Sequence, residues 1–352
     1  MNKKQQQLKD SDNNLSIRQG YGQDLTQLAS LTSRGENWVK TRSNQTIRNK
    51  TQFLVAEQDG NLVGFIQYRF VNRGINKDNC GLKRRAKHYL GFNRNDADTI
   101  IQPLRYSLIQ EIYVHPAQHK QAILGALIDG STESSTNQQL DELQVEVLPG
   151  DEAKITLLQA VGFRKTRVII RKKLSEITSN HINNIRRADL GDLPQLIPLV
   201  KKEITYQLSL ANSFELIPDV DWQGYISSKI NNRDTALFVA QQNDQLTGYL
   251  EASCNYRGVN GLRSYFSSLL RKSLPFGKKY LTSLGVIEDI FVLPAFRKQA
   301  IGQNLVSAGE KWIRSLGLDH VHASIRANNQ HSLNFFNAIG FKPVKVALSK
   351  RV

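Results

Sequence analysis

Six residues, Arg297-Lys298-Gln299-Ala300-Ile301-Gly302, combine positive charge with small side chains where an apolar run gives way to a helical one. The run before them, with Val286, Ile287, Ile290, Phe291 and Val292, reads as a buried strand that Pro294 ends. Behind them Ile301, Leu305, Ala308, Trp312 and Leu316 recur about one helical turn apart. A helix starting in such a turn offers an anion its first N–H groups, which have no partner within the helix, and the positive end of its dipole. Arg297 and Lys298 add charge, and Gly302 lets a phosphate approach the backbone. The chemistry is that of holding a phosphorylated ligand.

Farther on, Asn329 opens a helical stretch that closes in Gly340-Phe341. With these two stretches in this order, the chain resembles the GNAT superfamily of N-acyltransferases. The family's acyl-CoA motif is written Arg/Gln-x-x-Gly-x-Gly/Ala; here it stands as Arg297-x-x-Ala300-x-Gly302, with alanine for the first glycine. The resemblance implies acetyl-CoA as co-substrate, with its pyrophosphate on the loop Arg297, Lys298, Gln299, Ala300, Ile301 and Gly302. Its pantetheine would pair with the backbone of Ile290, Phe291 and Val292, where an N–H polarises the thioester carbonyl. Asn329 would contact the cofactor or cap its helix, and Phe336, in the place of a family tyrosine on that helix, would also contact the cofactor.

Direct transfer needs a neutral amine, so a carboxylate or a relayed water must take its proton. Family members often carry such a base on the strand where Glu288 and Asp289 stand. Strand alternation turns the two to opposite faces, so at most one points into the site. Asp289 is preferred, and a solvated carboxylate at a strand end is the plainer reading of either. The family's usual acid, a tyrosine four residues before the glycine of Gly-Phe, is Phe336 here, whose ring has no proton to give. His320, His322 and Tyr280 are the candidate replacements. The implied activity is acetyl transfer to an amine, on a small molecule or a protein, within a ternary complex. The rival reading is a non-catalytic acyl-CoA-binding or regulatory protein.

The elements that must position these residues occur twice. Leu15 to Arg18 with Asp24 parallels Asn184 to Arg187 with Asp192, each a strand, a capping aspartate and an amphipathic helix. Phe53 to Gly64 parallels Leu237 to Gly248, each a hairpin, with turns at Asp59-Gly60 and Asn243-Asp244. Ile109 to Pro116 and Gly162-Phe163 meet Ile287 to Pro294 and Gly340-Phe341 at a constant offset of 178 residues. Basic insertions, 72–106 and 255–283, open with Arg73-Gly74 and Arg257-Gly258. We therefore expect an α/β (α+β) fold of two tandem GNAT-like domains, each a mostly antiparallel twisted sheet flanked by helices. Residues 1–14 read as a disordered leader, 15–175 as a degenerate domain and 183–352 as the one with the intact motif. About ten residues follow Phe341, enough for a single last strand.

The first half's loop has His119, Ala122 and Leu124 where Arg297, Ala300 and Gly302 stand, and Asp151 for Asn329. Leu124 is expected to put a side chain where a pyrophosphate must touch backbone. Ser134, Ser135 and Gln138, in place of Trp312, Ile313 and Leu316, are expected to cost the following helix its apolar face.

Against 47 Lys and Arg stand 31 Asp and Glu, a net charge of +16 that favours anionic partners. The charge divides fairly evenly and marks no single basic tail; nucleic-acid binding through the basic insertions has only charge behind it and is not the expected reading. Two cysteines, Cys80 and Cys254, exclude a disulfide framework, and no metal constellation is legible. No stretch is long and apolar enough for a membrane span or a signal core, so the expected location is the cytoplasm.

Overall fold

The computed structural model describes residues 14–32, 51–72, 105–116, 119–174, 184–210, 221–257 and 282–352. The boundary stretch 175–183, Tyr280, the leader and most of both basic insertions fall outside them.

The element order repeats as expected. The first half runs β1 (Leu15–Gln19), α1 (Gly22–Leu31), β2 (Thr51–Gln58), β3 (Asn61–Asn72), β4 (Arg105–Val114), α2 (Lys120–Thr136), β5 (Glu142–Val147), α3 (Glu152–Ala160) and β6 (Arg164–Lys173). The second runs β7 (Ile185–Arg187), α4 (Leu193–Ser209), α5 (Trp222–Ile230), β8 (Thr235–Gln242), β9 (Gln245–Arg257), β10 (Thr282–Val292), α6 (Ile301–Ser315), β11 (His320–Arg326), α7 (Gln330–Ala338) and β12 (Lys342–Arg351). A single strand does follow Phe341.

The compact units do not follow the halves of the sequence. Described residues up to 167 join Lys345–Val352 in one unit, and Val168–Val344 form the other. In the first, strands lie in the order β1-β2-β3-β4-β5-β12. There β12 runs antiparallel to β5, from Val346 opposite Val147 to Arg351 opposite Glu142. Val346 and Leu348 are buried in this unit's core, among Ile155, Leu158 and Val145. In the second the order is β6-β11-β10-β9-β8-β7. Ile170 and Leu174 of β6 and its end lie in that core with Val321 and Phe341, and the Leu174 N–H donates to the Asp319 carbonyl at 2.8 Å. The last strand of each half therefore completes the other half's unit. This overturns the expectation that each half of the sequence holds a complete sheet.

Details repeat across the units. The hairpin turns carry positive φ at Asp59 and Gly60, and again at Asn243 and Asp244, the twist that suits a two-residue hairpin. Arg18 grips Asp24 through two bonds of 2.9 Å, and Arg186 grips Asp192 at 2.6 and 2.7 Å. Each aspartate also accepts a backbone N–H at the start of its helical segment. Register shifts between β3 and β4 and between β9 and β10 leave Gln110 and Glu288 as the bulged residues, 178 apart in sequence. A bulge conserved in position is a built feature of the strand.

The polar face of α2 does pack inward. Ser131 and Ser135 are fully buried; both hydroxyls donate to carbonyls of their own helix, and Ser135 meets the Ser107 hydroxyl at 2.8 Å. Small hydroxyls that bond to the helix backbone can take core positions without leaving a polar atom unsatisfied.

Candidate active site

In the second unit β10 parts from β11. The two run parallel only from Gly285 to Ile287, opposite Val321 to Ala323, while β10 stays with β9 as far as Val292. The Leu293 N–H donates to the Thr247 carbonyl of β9 at 2.9 Å. Alternation then turns the backbone of Phe291 toward β9 and that of Ile290 and Val292 toward the opening. Of the three residues expected to offer backbone groups, Ile290 and Val292 are the ones so turned.

The turn after β10 is wound tightly. Lys298 and Ala300 both sit at positive φ, 64° and 58°. A left-handed alanine is strained where a glycine is not. Ala300 is the N-cap of α6 and makes no side-chain cap bond. The first bond back along the helix is Asn304 N–H to the Ala300 carbonyl, 3.0 Å, so the N–H groups of Ile301, Gly302 and Gln303 precede it. Arg297 is spent on the loop itself: its Nε donates to the Val292 carbonyl at 3.1 Å, and its guanidinium lies 6.0 Å over the Phe291 ring. Lys298 and Gln299 are exposed. A Cβ on Gly302 would come within 3.3 Å of the Phe335 ring, so any side chain there needs that ring to give way by a few tenths of an ångström.

Beside the opening lies a group of carboxyls, Glu203 and Glu251 buried and Asp289 half-buried. Asp289 pairs across the sheet with Glu251, and the bulge at Glu288 breaks the alternation that the sequence implies. Glu288 is exposed and accepts from the Ser253 hydroxyl. Asp289 and Glu251 instead line a small cavity with Tyr225, Tyr249, Lys229, Val200 and Ile204. Burial pushes the Asp289 carboxyl well above the usual carboxylate range, with Glu203, Glu251 and Glu288 adding to the rise and Lys229 opposing it. Burial also raises Glu251, against the pull of Lys229, which reaches it at 2.5 Å. Glu203, on α4, is pushed up to about 7, again mainly by burial. Burial and the same carboxylates hold the Tyr225 and Tyr249 phenols protonated. Such a group can keep, accept and pass protons near neutral pH.

The Acetyltransferase (GNAT) family model matches residues 205–341, which hold β10, its turn, Glu251 and Asp289, while Glu203 lies just before them. The chain carries a GNAT acetyltransferase domain. An N-alpha-acetyltransferase of Sulfurisphaera tokodaii is 26% identical over 163 residues, 46% of this chain and 81% of that protein. An aminoglycoside N(6')-acetyltransferase type 1 of Salmonella typhimurium is 25% identical over 107 residues, 30% of this chain and 62% of that protein. Among solved structures, an acetyltransferase from the GNAT family of Colwellia psychrerythraea is 14% identical, with a TM-score of 0.42 over 96% of this chain and 99% of that one.

Within the GNAT domain several expected residues have other work. Asn329 caps α7, its side chain accepting the Ser332 N–H at 3.1 Å. Phe336 is 1% exposed and edge-on to Phe335 and Phe341, with centroids 5.1 and 5.0 Å away; it is core and offers a cofactor no surface. His320 stands at the start of β11, with its Nδ1 2.8 Å from Asp319, and His322 pairs opposite Val286. Both precede the parting of the strands, so neither stands at the opening.

The first unit keeps the frame. There β4 runs beside β5 only to Ile109, and Glu111, at the position of Asp289, pairs across from Gln67. The constant offset of 178 residues marks a carboxylate at that position in the first half of the sequence as well. Leu124 is 2% exposed in the core, so it does not cover the helix start as expected. His119, Lys120, Gln121 and Ala122 line an open hollow there.

Among the described residues no group of three or more His, Cys, Asp or Glu is placed to hold a metal ion, and no helix is long and apolar enough to cross a membrane.

Proposed function

We propose that the second unit transfers an acetyl group from acetyl-CoA directly to an amine. The observation that carries this reading is Asp289: a carboxyl at the parting of β10 and β11, raised well above its ordinary range. A carboxylate so raised is a stronger base than one in water.

Acetyl-CoA supplies the activated acyl carbon. The pyrophosphate fits the uncapped first turn of α6, with Lys298 beside it, and the backbone turned outward at Ile290 and Val292 fits an extended pantetheine. The Ile290 N–H is placed to stabilise charge on the thioester oxygen. Asp289 takes the proton from the amine as the nitrogen bonds to the acyl carbon; the carbon–sulfur bond breaks and the sulfur takes a proton from solvent. The acceptor is a compound with a primary or N-terminal amine, the chemistry shared by the names of the two curated relatives.

The binding-module reading keeps one observation, the burial of Phe336 where the family places its acid. Asp289→Asn separates the two. Assayed by CoA release with free-N-terminus peptides and aminoglycosides, the variant should bind acetyl-CoA as the wild type does and turn over about 10²–10⁴-fold more slowly. A wild type that binds acetyl-CoA and acetylates no amine supports the binding module.

A further inference from the structure

Glu203 is a charge on the wrong face of its helix. On α4 the residues Leu196, Leu199 and Val200 are buried against Leu237, Val239 and Tyr249, and Glu203 continues that face at 3% exposure. One of its oxygens, Oε1, has no hydrogen-bond partner; Gln207, one turn on, bonds to the carboxyl. An apolar or amide side chain would fill the position at less cost than a half-satisfied carboxyl.

The neighbours of Glu203 on α4, Val200 and Ile204, line the same cavity as Asp289. Within electrostatic reach of Glu203 are Asp289 of β10, Glu251 and Tyr249 of β9, Tyr225 of α5 and Arg326 of β11, and Lys229 of α5 pairs with Glu251. Between α4, α5 and the sheet, the cavity lined by Asp289, Glu251, Lys229 and Tyr225 encloses about 20 Å³, the room of about one water. Asp289 feels Glu203 more strongly than any other charge.

We propose that Glu203 is the second carboxyl of a proton relay that starts at Asp289 and runs through this cavity. In each turnover the amine gives one proton to the Asp289 carboxylate, Asp289 passes it to the Glu203 carboxylate, and Glu203 returns it to solvent before the next turnover, which restores both the base and the relay. No oxidation or other bond change is involved. Glu203 acts through Asp289 and does not touch the substrate. The relay rests on Asp289 being the base.

The test compares Glu203→Gln with Asp289→Asn, using acetyl-CoA with the same peptide and aminoglycoside acceptors. Glutamine keeps the shape and the bond to Gln207. We expect acetyl-CoA affinity unchanged, kcat lower by about tenfold or more, and the rising limb of kcat/KM moved to lower pH, because Asp289 loses a like-charged neighbour. A merely structural Glu203 lowers thermal stability and leaves the limb in place, which overturns the proposal. If Asp289→Asn is slow while Glu203→Gln matches wild type, the relay fails and the base stands. If Asp289→Asn is itself at full rate, both fail. A second readout needs no acceptor: the infrared band of protonated buried carboxyls should titrate near neutral pH and lose a component in Glu203→Gln. A band identical in the two proteins also overturns the proposal.

Discussion

Asp289 lies directly across the β9–β10 pair from Glu251, one residue beyond a bulge at Glu288. The bulge decides which acid faces the cavity: Glu288 is left to solvent and to Ser253, and Asp289 is turned toward α4 and α5. A strand without it would set Glu288 and Asp289 on opposite faces by simple alternation.

Lys229 is the cation paired with Glu251, and its removal should be costly. Lys229→Met leaves Glu251 buried beside Asp289 and Glu203 without its partner. Breaking such a pair costs about 3 kcal/mol. Denaturant unfolding should show that loss, and the double variant Lys229→Met with Glu251→Met should recover most of it.

The raised Glu203 fixes a pH dependence of stability. Its folded value is about 7, above the unfolded value of about 4.3, so the folded state binds more protons between the two. Stability should therefore fall as pH rises through that window. In Glu203→Gln the fall should be smaller, measured by urea unfolding across it.

Asp192 works in the opposite sense. The bond from Arg186 holds its carboxyl below the usual range, so its contribution is present above about pH 4 and lost as pH falls through the folded value. Asp192→Asn should cost about 2 kcal/mol at neutral pH. The difference from wild type should shrink on acidification, as read by urea unfolding at each pH.

Ala300 is where the loop is strained. Ala300→Gly should relieve the left-handed φ of 58° and raise stability by about 0.5–1 kcal/mol. Calorimetry should show a higher Tm with acetyl-CoA affinity intact. A substitution at Gly302 reports less cleanly, because any side chain there also meets Phe335.

The exchanged strands make a prediction that the linear sequence would not. Leu348→Ala should cost about 2–5 kcal/mol and speed hydrogen exchange in β5 and α3, whose core it joins, with β10 and β11 left protected.

The repeat, the hairpins and the loop were legible because residue type and spacing encode them: Asp59-Gly60 and Asn243-Asp244 sit where two-residue turns need positive φ. The exchange was not legible. A strand's alternation says which face is buried and nothing about which neighbour it pairs with, and β6 and β12 are both basic strands with a short apolar centre. Glu203 was missed because it follows Lys201 and Lys202, a run that reads as a solvated face. The signal was its spacing, three residues beyond Val200 and seven beyond Leu196, which puts it on the apolar stripe. Leu124 was misread for the complementary reason: its match to Gly302 says where it lies in the repeat, while its own helix turns the side chain inward.

The central claim is that acetyl-CoA sits where β10 parts from β11 in the second unit. Hydrogen exchange of the full chain with and without acetyl-CoA tests it most directly. The account predicts slowed exchange at the amides of Ile290, Val292, Ile301, Gly302 and Gln303, with residues 106–125 of the first unit unchanged. Protection confined to 106–125, or none in either unit at saturating acetyl-CoA, would contradict it.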